Sequence, residues 1–113
     1  MNDLTAEVNH FYHHQFMIHD ICKSLTKVRI SDLPDNGPVI TGTLPRYKVG
    51  DQISANCTSA NSIPAARLNW YINGEEATPA MLVNYPLQED FQNRKTSTLG
   101  LRLVSKYNNF SSF

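Results

Sequence analysis

From Val39 onwards, apolar residues alternate with polar residues in short runs, and this period of two is typical of β-strands with one buried face. Turn residues separate the runs. Among them, Asn73-Gly74 favours a tight hairpin because both residues tolerate positive φ. The positions expected to face inward are Ile53, Ala55, Cys57, Leu68, Trp70, Ile72, Leu99, Leu101 and Leu103. Short strands with one wet face predict an all-β, antiparallel sandwich and not an alternation of strands and helices.

The N-terminal part of the chain has a different period. A spacing of seven residues relates Leu4, Phe11, Ile18 and Leu25, with no Gly or Pro between them, and predicts an α-helix from about residue 3 to residue 26. Asn2 is an acceptable N-cap for this helix. Two prolines and a glycine in the next segment predict a linker. The predicted parts of the chain are a helix-like segment at 1–30, a linker at 31–38 and a sandwich at 39–113.

The 113 residues include ten basic and ten acidic side chains, so there is no excess of either charge. This balance argues against nucleic-acid binding, which needs a basic patch, and against a polybasic membrane-binding patch. No apolar run approaches the roughly 18 residues of a membrane-spanning helix. Charged residues and histidines also interrupt the N-terminal stretch. We therefore expect neither a signal peptide nor a transmembrane segment within this chain.

Cys57 and Trp70 stand thirteen residues apart on two of the predicted strands. A cysteine followed by a tryptophan at this spacing, and later by a second cysteine, is typical of the core of an immunoglobulin-like sandwich. We therefore expect structural roles for both residues. No cysteine follows Trp70 in this sequence. The fold is accordingly predicted to be an incomplete immunoglobulin-like β-sandwich that lacks its final strands, preceded by the helical segment.

Cys22 and Cys57 are the two cysteines of the chain, and they could form a disulfide. The sequence pattern assigns them to different structural units, however, so Cys57 is expected to be an unpaired, buried residue. A sandwich without its last strands and its disulfide would have an open edge and a reduced free energy of unfolding. We therefore expect the chain to be poorly stable on its own.

Five blocks of the chain carry a resemblance to a known family. They are Gly37-Pro-Val-Ile-Thr-Gly, Pro45-Arg-Tyr-Lys-Val-Gly-Asp51, Asn56-Cys-Thr-Ser59, Pro64-Ala-Ala-Arg-Leu-Asn-Trp-Tyr-Ile-Asn-Gly-Glu75 and Ser97-Thr-Leu-Gly-Leu-Arg-Leu103. The fourth block is the most specific of them. On these blocks, residues 37 to 113 resemble the second, membrane-proximal immunoglobulin domain of the insect Beaten path (Beat) family, without its C-terminal end.

The resemblance implies a cell-surface or secreted glycoprotein of the developing nervous system. Proteins of this family guide axons and take part in heterophilic cell adhesion, and they bind surface proteins of the Sidestep family, which are also immunoglobulin proteins. The implied action is protein–protein contact, with no small-molecule substrate, no nucleic acid and no cofactor. The alternative interpretation is a truncated immunoglobulin-domain fragment or gene-model hybrid with no activity of its own.

The four histidines all lie in the N-terminal segment. On a helix, His10 and His14 would share a face at the i, i+4 spacing that can hold zinc. They are weak metal candidates, and a small metal-binding protein is a remote alternative function. The favoured interpretation is a solvated face of the predicted helix, and no metal is expected.

Two tripeptides, at Asn56-Cys-Thr58 and at Asn109-Phe-Ser111, match the acceptor sequence for N-glycosylation. The alternation of β-residues directs Asn56 outward, so a glycan could be carried there. Separately, an exposed row is the best candidate for a protein-contact face, although an ordinary polar surface is the favoured interpretation. Its members are Asn69, Tyr71, Asn73 and Glu75.

Nothing in the sequence supports catalysis. There is no Gly-rich phosphate-binding loop, and any Ser/His/Asp arrangement would have to bridge the two predicted units. The sequence therefore predicts a non-enzymatic recognition protein.

Overall fold

The computed structural model describes residues 2–12, 16–26, 37–48 and 50–104. Within these ranges the chain is nearly all β-structure, with a single short 3₁₀ helix at Pro79–Met81. Among the described residues, no helix is long and apolar enough to cross a membrane. The strands are β1 (Asn2–Tyr12), β2 (Phe16–Thr26), β3 (Val39–Thr41), β4 (Arg46–Tyr47), β5 (Gln52–Thr58), β6 (Arg67–Ile72), β7 (Glu75–Glu76), β8 (Leu82–Asn84), β9 (Gln88–Glu89), β10 (Lys95–Thr96) and β11 (Thr98–Val104).

Two sheets form an immunoglobulin-like sandwich. In the described part of the chain, the first sheet has the strand order β4-β1-β2-β6-β7 and the second has the order β3-β5-β11-β8. The short strands β9 and β10 pair antiparallel with each other, and Lys95 of β10 also forms a β-bridge with Ser62. This arrangement confirms the prediction of an all-β sandwich. Strand β8, which ends two residues before Pro86, lies at an edge of the second sheet.

The hydrophobic core lies between the two sheets, with Trp70 at its centre. Trp70 is 1% exposed, and its indole N–H donates a hydrogen bond to the backbone oxygen of Leu99 at 2.9 Å. The bond joins β6 of one sheet to β11 of the other, so the indole both fills the core and ties the layers together. The buried apolar cluster around it comprises Cys22, Tyr47, Ile53, Ala55, Cys57, Ile72, Ala77, Leu99 and Leu101.

Trp70→Phe should lower the free energy of unfolding by about 1–3 kcal/mol, because it removes the buried hydrogen bond to Leu99. Thermal unfolding followed by circular dichroism measures the change. Tyr71→Phe, on the same strand but facing outward, is the control and should change stability by less than about 0.5 kcal/mol. Equal losses in the two variants would contradict the role assigned to the indole.

The predicted N-terminal helix is wrong. Residues 2–12 and 16–26 form an antiparallel hairpin that is paired along its whole length, from Asn2 opposite Thr26 to Tyr12 opposite Phe16. Strand β2 also pairs antiparallel with β6, and β1 pairs parallel with β4. The hairpin thus gains strand partners on both sides. A lone helix with one apolar stripe would have no comparable surface to pack against, so tertiary pairing overrides the helical spacing.

A disulfide joins Cys22 of β2 to Cys57 of β5, with the two Cα atoms 6.4 Å apart. The expectation that Cys57 is unpaired is therefore wrong. Cys22 lies directly opposite Trp70 in the register of β2 and β6, which is the position of the missing cysteine in an immunoglobulin core. The hairpin β1–β2 fills the places of the two strands that the sequence pattern lacked. The reasoning that predicted an open edge and poor stability consequently fails.

The predicted linker, residues 31–38, lies mostly outside the described residues, so its boundaries stay a prediction. Strand pairing nevertheless places residues 2–12, 16–26 and 67–72 in one sheet. The predicted turn at Asn73-Gly74 is confirmed, because it joins β6 to β7 with φ values of 50° and 89°.

Candidate protein-binding face

The outer side of the five-stranded sheet is the candidate protein-binding surface, which we call the front face. Side chains that alternate with the buried Cys22 and Trp70 project from it. Strand register sets one row of directly opposed residues across four strands, since cross-strand partners share a face. The members of that row are Glu7, Ile21, Tyr71 and Glu76. A second row places Lys23 beside Asn69.

The centre of the front face is an aromatic ring capped by a cation. The Lys23 ammonium lies 4.8 Å from the centroid of the Tyr71 ring, within the range of a cation–π interaction. Tyr71 and Ile21, which oppose each other, are both half-buried. The centre therefore combines apolar surface with one fixed positive charge.

Acidic side chains flank this centre. Glu7 lies 3.5 Å from the His19 imidazole, and both side chains are exposed to solvent, at 57% and 37% respectively. Glu76 is exposed on the far side of Tyr71. The front face thus has an apolar and cationic middle between acidic margins, a distribution of charge that can discriminate among protein partners.

Family comparison agrees with the core geometry. Residues 37–111 match the model of the CD80-like C2-set immunoglobulin domain. The chain belongs to this C2-set family. No curated protein and no solved structure matches it at a significant level. C2-set immunoglobulin domains are typically non-enzymatic and occur in surface proteins that act in recognition and adhesion. The matched region leaves out the hairpin β1–β2, which nevertheless completes the first sheet of this C2-set domain.

The structure brings together part of the predicted contact row of the C2-set domain. Asn69 and Tyr71 lie on the front face, each opposite a residue of β2. Glu75 does not join them, because it pairs with the inward-facing Ile72, whereas Glu76 pairs with Tyr71. The tight turn after Ile72 shifts the face on which the next strand presents its side chains. Glu76 is therefore the acidic member of the row.

Asn73 holds the end of the sheet together. Its side-chain oxygen accepts the backbone N–H of His19 at 2.7 Å, and its own N–H donates to the backbone oxygen of His19 at 2.8 Å. Both of these contacts are internal to the domain. Asn73 therefore positions the ends of strands β2 and β6 at the margin of the front face.

Half of the front face comes from the hairpin, and sequence reasoning missed those residues. Glu7, Ile21 and Lys23 were placed on the predicted helix. The signal that could have found them is Cys22, since a second cysteine that belongs to the sandwich core brings its two neighbours to the outer side of the same strand.

The histidine prediction for the C2-set domain needs correction. His10 is 1% exposed, and its Nε2 lies 2.7 Å from Oδ2 of the equally buried Asp20. It is neither on a helix nor on a solvated face, so the i, i+4 argument for a metal site with His14 has no basis. His14 lies outside the described residues. Within those that are described, no group of three or more potential metal ligands comes together.

Tyr47 closes the space around the His10–Asp20 pair. Its ring meets the His10 ring edge-on, with centroids 5.0 Å apart, and its hydroxyl accepts the backbone N–H of Leu44 at 2.8 Å. Burial raises the pKa of the Tyr47 phenol above its ordinary value, and the charges of Asp20 and Asp51 act in the same direction. The pair is thus sealed from solvent inside the sandwich, which leaves a substrate no access to it.

The remaining candidates lie away from the front face. Asn56 is half-buried on the outer side of the four-stranded sheet, as its place between buried Ala55 and Cys57 predicted. Asn109 lies outside the described residues. Cys57 and Trp70 lie in the core, one on each sheet.

Proposed function

We propose that this C2-set domain acts in cell-surface recognition and binds a second immunoglobulin-superfamily protein through its front face. The resemblance to the Beat family extends the proposal to axon guidance and heterophilic adhesion, with a Sidestep-like protein as the partner. In this proposal the domain works outside the cell, and its chemistry is contact alone.

The observation that carries the proposal is the arrangement around Tyr71. An aromatic ring next to an aliphatic side chain, with a cation above it, has the composition of an interface centre, where aromatic residues are enriched and give the largest losses on truncation. The acidic margins at Glu7 and Glu76 form a polar rim. A complementary partner would present an acidic group to Lys23 and basic groups to the two glutamates.

Tyr71→Ala should weaken binding to an immobilised Sidestep-family extracellular region by at least about tenfold, because it removes the central ring and the support of Lys23. Surface plasmon resonance measures the equilibrium constant. Phe91→Ala is the matched control, since Phe91 is an aromatic residue that is 92% exposed in the segment between β9 and β10.

The two variants must first give the circular dichroism spectrum of the unaltered chain. Unchanged binding by Tyr71→Ala, or equal weakening by both variants, would contradict the front face as the binding site. Absence of binding by the unaltered, folded chain to every Sidestep-family protein would contradict the partner class.

A further inference from the structure

We propose that Asn56 carries an N-linked oligosaccharide whose first sugar rests on a platform made by Tyr85 and Arg102, on the outer side of the four-stranded sheet. This inference rests on the proposed function to the extent that the chain must enter the secretory pathway. It concerns the sheet opposite the front face and assigns that sheet a different role.

Asn56 lies at the centre of the four-stranded sheet, on β5. Thr41 of β3 opposes it on one side and Gly100 of β11 opposes it on the other. Its neighbours Ala55 and Cys57 are 1% and 0% exposed, so Asn56 points the other way, towards solvent. Thr58 completes the acceptor tripeptide.

Arg102 fixes the orientation of the Asn56 carboxamide. Its Nη2 donates to Asn56 Oδ1 at 3.0 Å and to the Tyr85 hydroxyl at 2.8 Å. Its Nη1 donates to the backbone oxygens of Ala55 and Leu101 at 2.9 and 3.0 Å. Four hydrogen bonds therefore fix the position of the guanidinium on the outer side of the sheet. N-linked attachment takes place at the other amide atom, Nδ2, which the hydrogen bond from Arg102 to Oδ1 leaves available.

The chemistry of attachment leaves this arrangement intact. A lipid-linked oligosaccharide diphosphate is the donor. A bond forms between Nδ2 and the anomeric carbon of the first sugar, the bond from that carbon to the diphosphate oxygen breaks, and the diphosphate departs with the electron pair. Nδ2 gives up one of its two protons, which passes through solvent to the departing diphosphate, while Oδ1 keeps its lone pairs. The hydrogen bond from Arg102 to Oδ1 consequently survives the modification.

Gly100 provides the space for the platform. A Cβ atom at this position would lie 3.0 Å from Arg102 Nη1, 3.0 Å from Asn56 Oδ1 and 3.2 Å from Tyr85 Cε2. The absence of a side chain lets the three groups converge over the backbone of β11. Tyr85 is 41% exposed there, so its ring can cover the apolar side of a sugar attached to Asn56.

The placement keeps the glycan away from the partner. The two sheets of a sandwich lie about 10 Å apart, and the glycan would project from the side opposite the front face. The domain would thus have one face shielded by carbohydrate and one face free for protein contact.

The test is secretion of the full chain from insect cells behind a cleavable signal peptide, followed by peptide mapping before and after peptide-N-glycosidase treatment. That enzyme converts a glycosylated asparagine to aspartate, so the map identifies the site directly in the unaltered chain. Thr58→Val should abolish the modification of Asn56, whereas Thr58→Ser, which keeps the acceptor sequence, should retain it. Asn109→Gln separates any contribution from the second acceptor sequence.

The contact between the first sugar and the platform is tested separately, by thermal unfolding. Enzymatic removal of the glycan should lower the melting temperature of the secreted chain by a few degrees, and Tyr85→Ala should abolish that difference. An unmodified Asn56 in secreted, folded protein would overturn the inference. If Tyr85→Ala shows the same difference in melting temperature between glycosylated and deglycosylated protein as the unaltered chain, the platform is overturned. Secreted protein that is modified at Asn56 but binds no Sidestep-family protein would contradict the proposed function alone.

Discussion

Cys22→Ser should lower the free energy of unfolding by about 4 kcal/mol. The disulfide to Cys57 closes a loop with a sequence separation of 35, and loop-closure entropy at this length corresponds to that value. The loss is a large part of the roughly 5–15 kcal/mol that stabilises a folded domain, so a measurable unfolded population is expected. Urea unfolding followed by the fluorescence of Trp70, the single tryptophan, measures the change.

The partner variants make this prediction specific. Cys57→Ser should give the same loss as Cys22→Ser, and the double variant should lose no more than either single one, because all three remove one bond. Chemical reduction of the unaltered chain should reproduce the effect. Additive losses, or two free thiols in the native protein, would mean that the hairpin is not bonded to β5.

Asp20→Leu should lower the free energy of unfolding by about 3–5 kcal/mol, because it leaves the His10 ring without its partner in the core. Both residues are 1% exposed, and the other polar atom of each, His10 Nδ1 and Asp20 Oδ1, has no hydrogen-bond partner among the described residues. A buried polar group that loses its one bond retains the full cost of its desolvation. Chemical denaturation of the variant measures the loss.

A double-mutant cycle separates the pair from the packing of its two members. His10→Leu alone should also destabilise the domain, whereas the double variant His10→Leu/Asp20→Leu should be more stable than either single variant, since apolar replacement of a whole buried pair is often neutral. Simple addition of the two losses would show that the pair is not coupled. A coupling free energy between His10 and Asp20 would show that their contact helps to hold β1 and β2 in register.

Most of the sandwich could be predicted from residues 39–104, because period-two alternation there follows burial closely. Ile53, Ala55 and Cys57 alternate with half-buried or exposed residues along β5, as the sequence indicates. On β11, Leu99 and Leu101 are buried as expected, although Gly100 between them is buried too, and Arg102 faces the outer side. These strands have an apolar side and a polar side, so the pattern determines which side is buried.

The hairpin could not be predicted in the same way, because most of its inward positions whose burial the structure describes are polar. Among those side chains, the buried ones are Asp20, Cys22 and Ser24 on β2 and His10 on β1. A hydrophobicity pattern cannot recognise a buried face that uses a hydrogen-bonded His–Asp pair. In addition, the residues between the two strands, 13–15, include none of the Gly, Pro, Asn or Asp that mark a tight turn.

Only the half of the front face that lies outside the hairpin could be predicted from the sequence. Asn69 and Tyr71 follow from the alternation along β6, whereas Lys23 and Glu7 depend on recognising the hairpin. The presence of Glu76 rather than Glu75 on the front face depends on the strand register across the Asn73-Gly74 turn. The alternation of polar and apolar residues along the sequence does not contain that register.

The order of strands along the chain sets the order in which they leave the ribosome. The hairpin emerges first, yet β6, against which it is paired, ends at residue 72, which is 46 residues after the end of β2 at residue 26. At roughly 5–20 residues per second, the wait is roughly 2–9 s. During that time the nascent hairpin has an unprotected strand edge and Cys22 lacks its bonding partner, so folding of this domain should depend on chaperones until β6 has been synthesised.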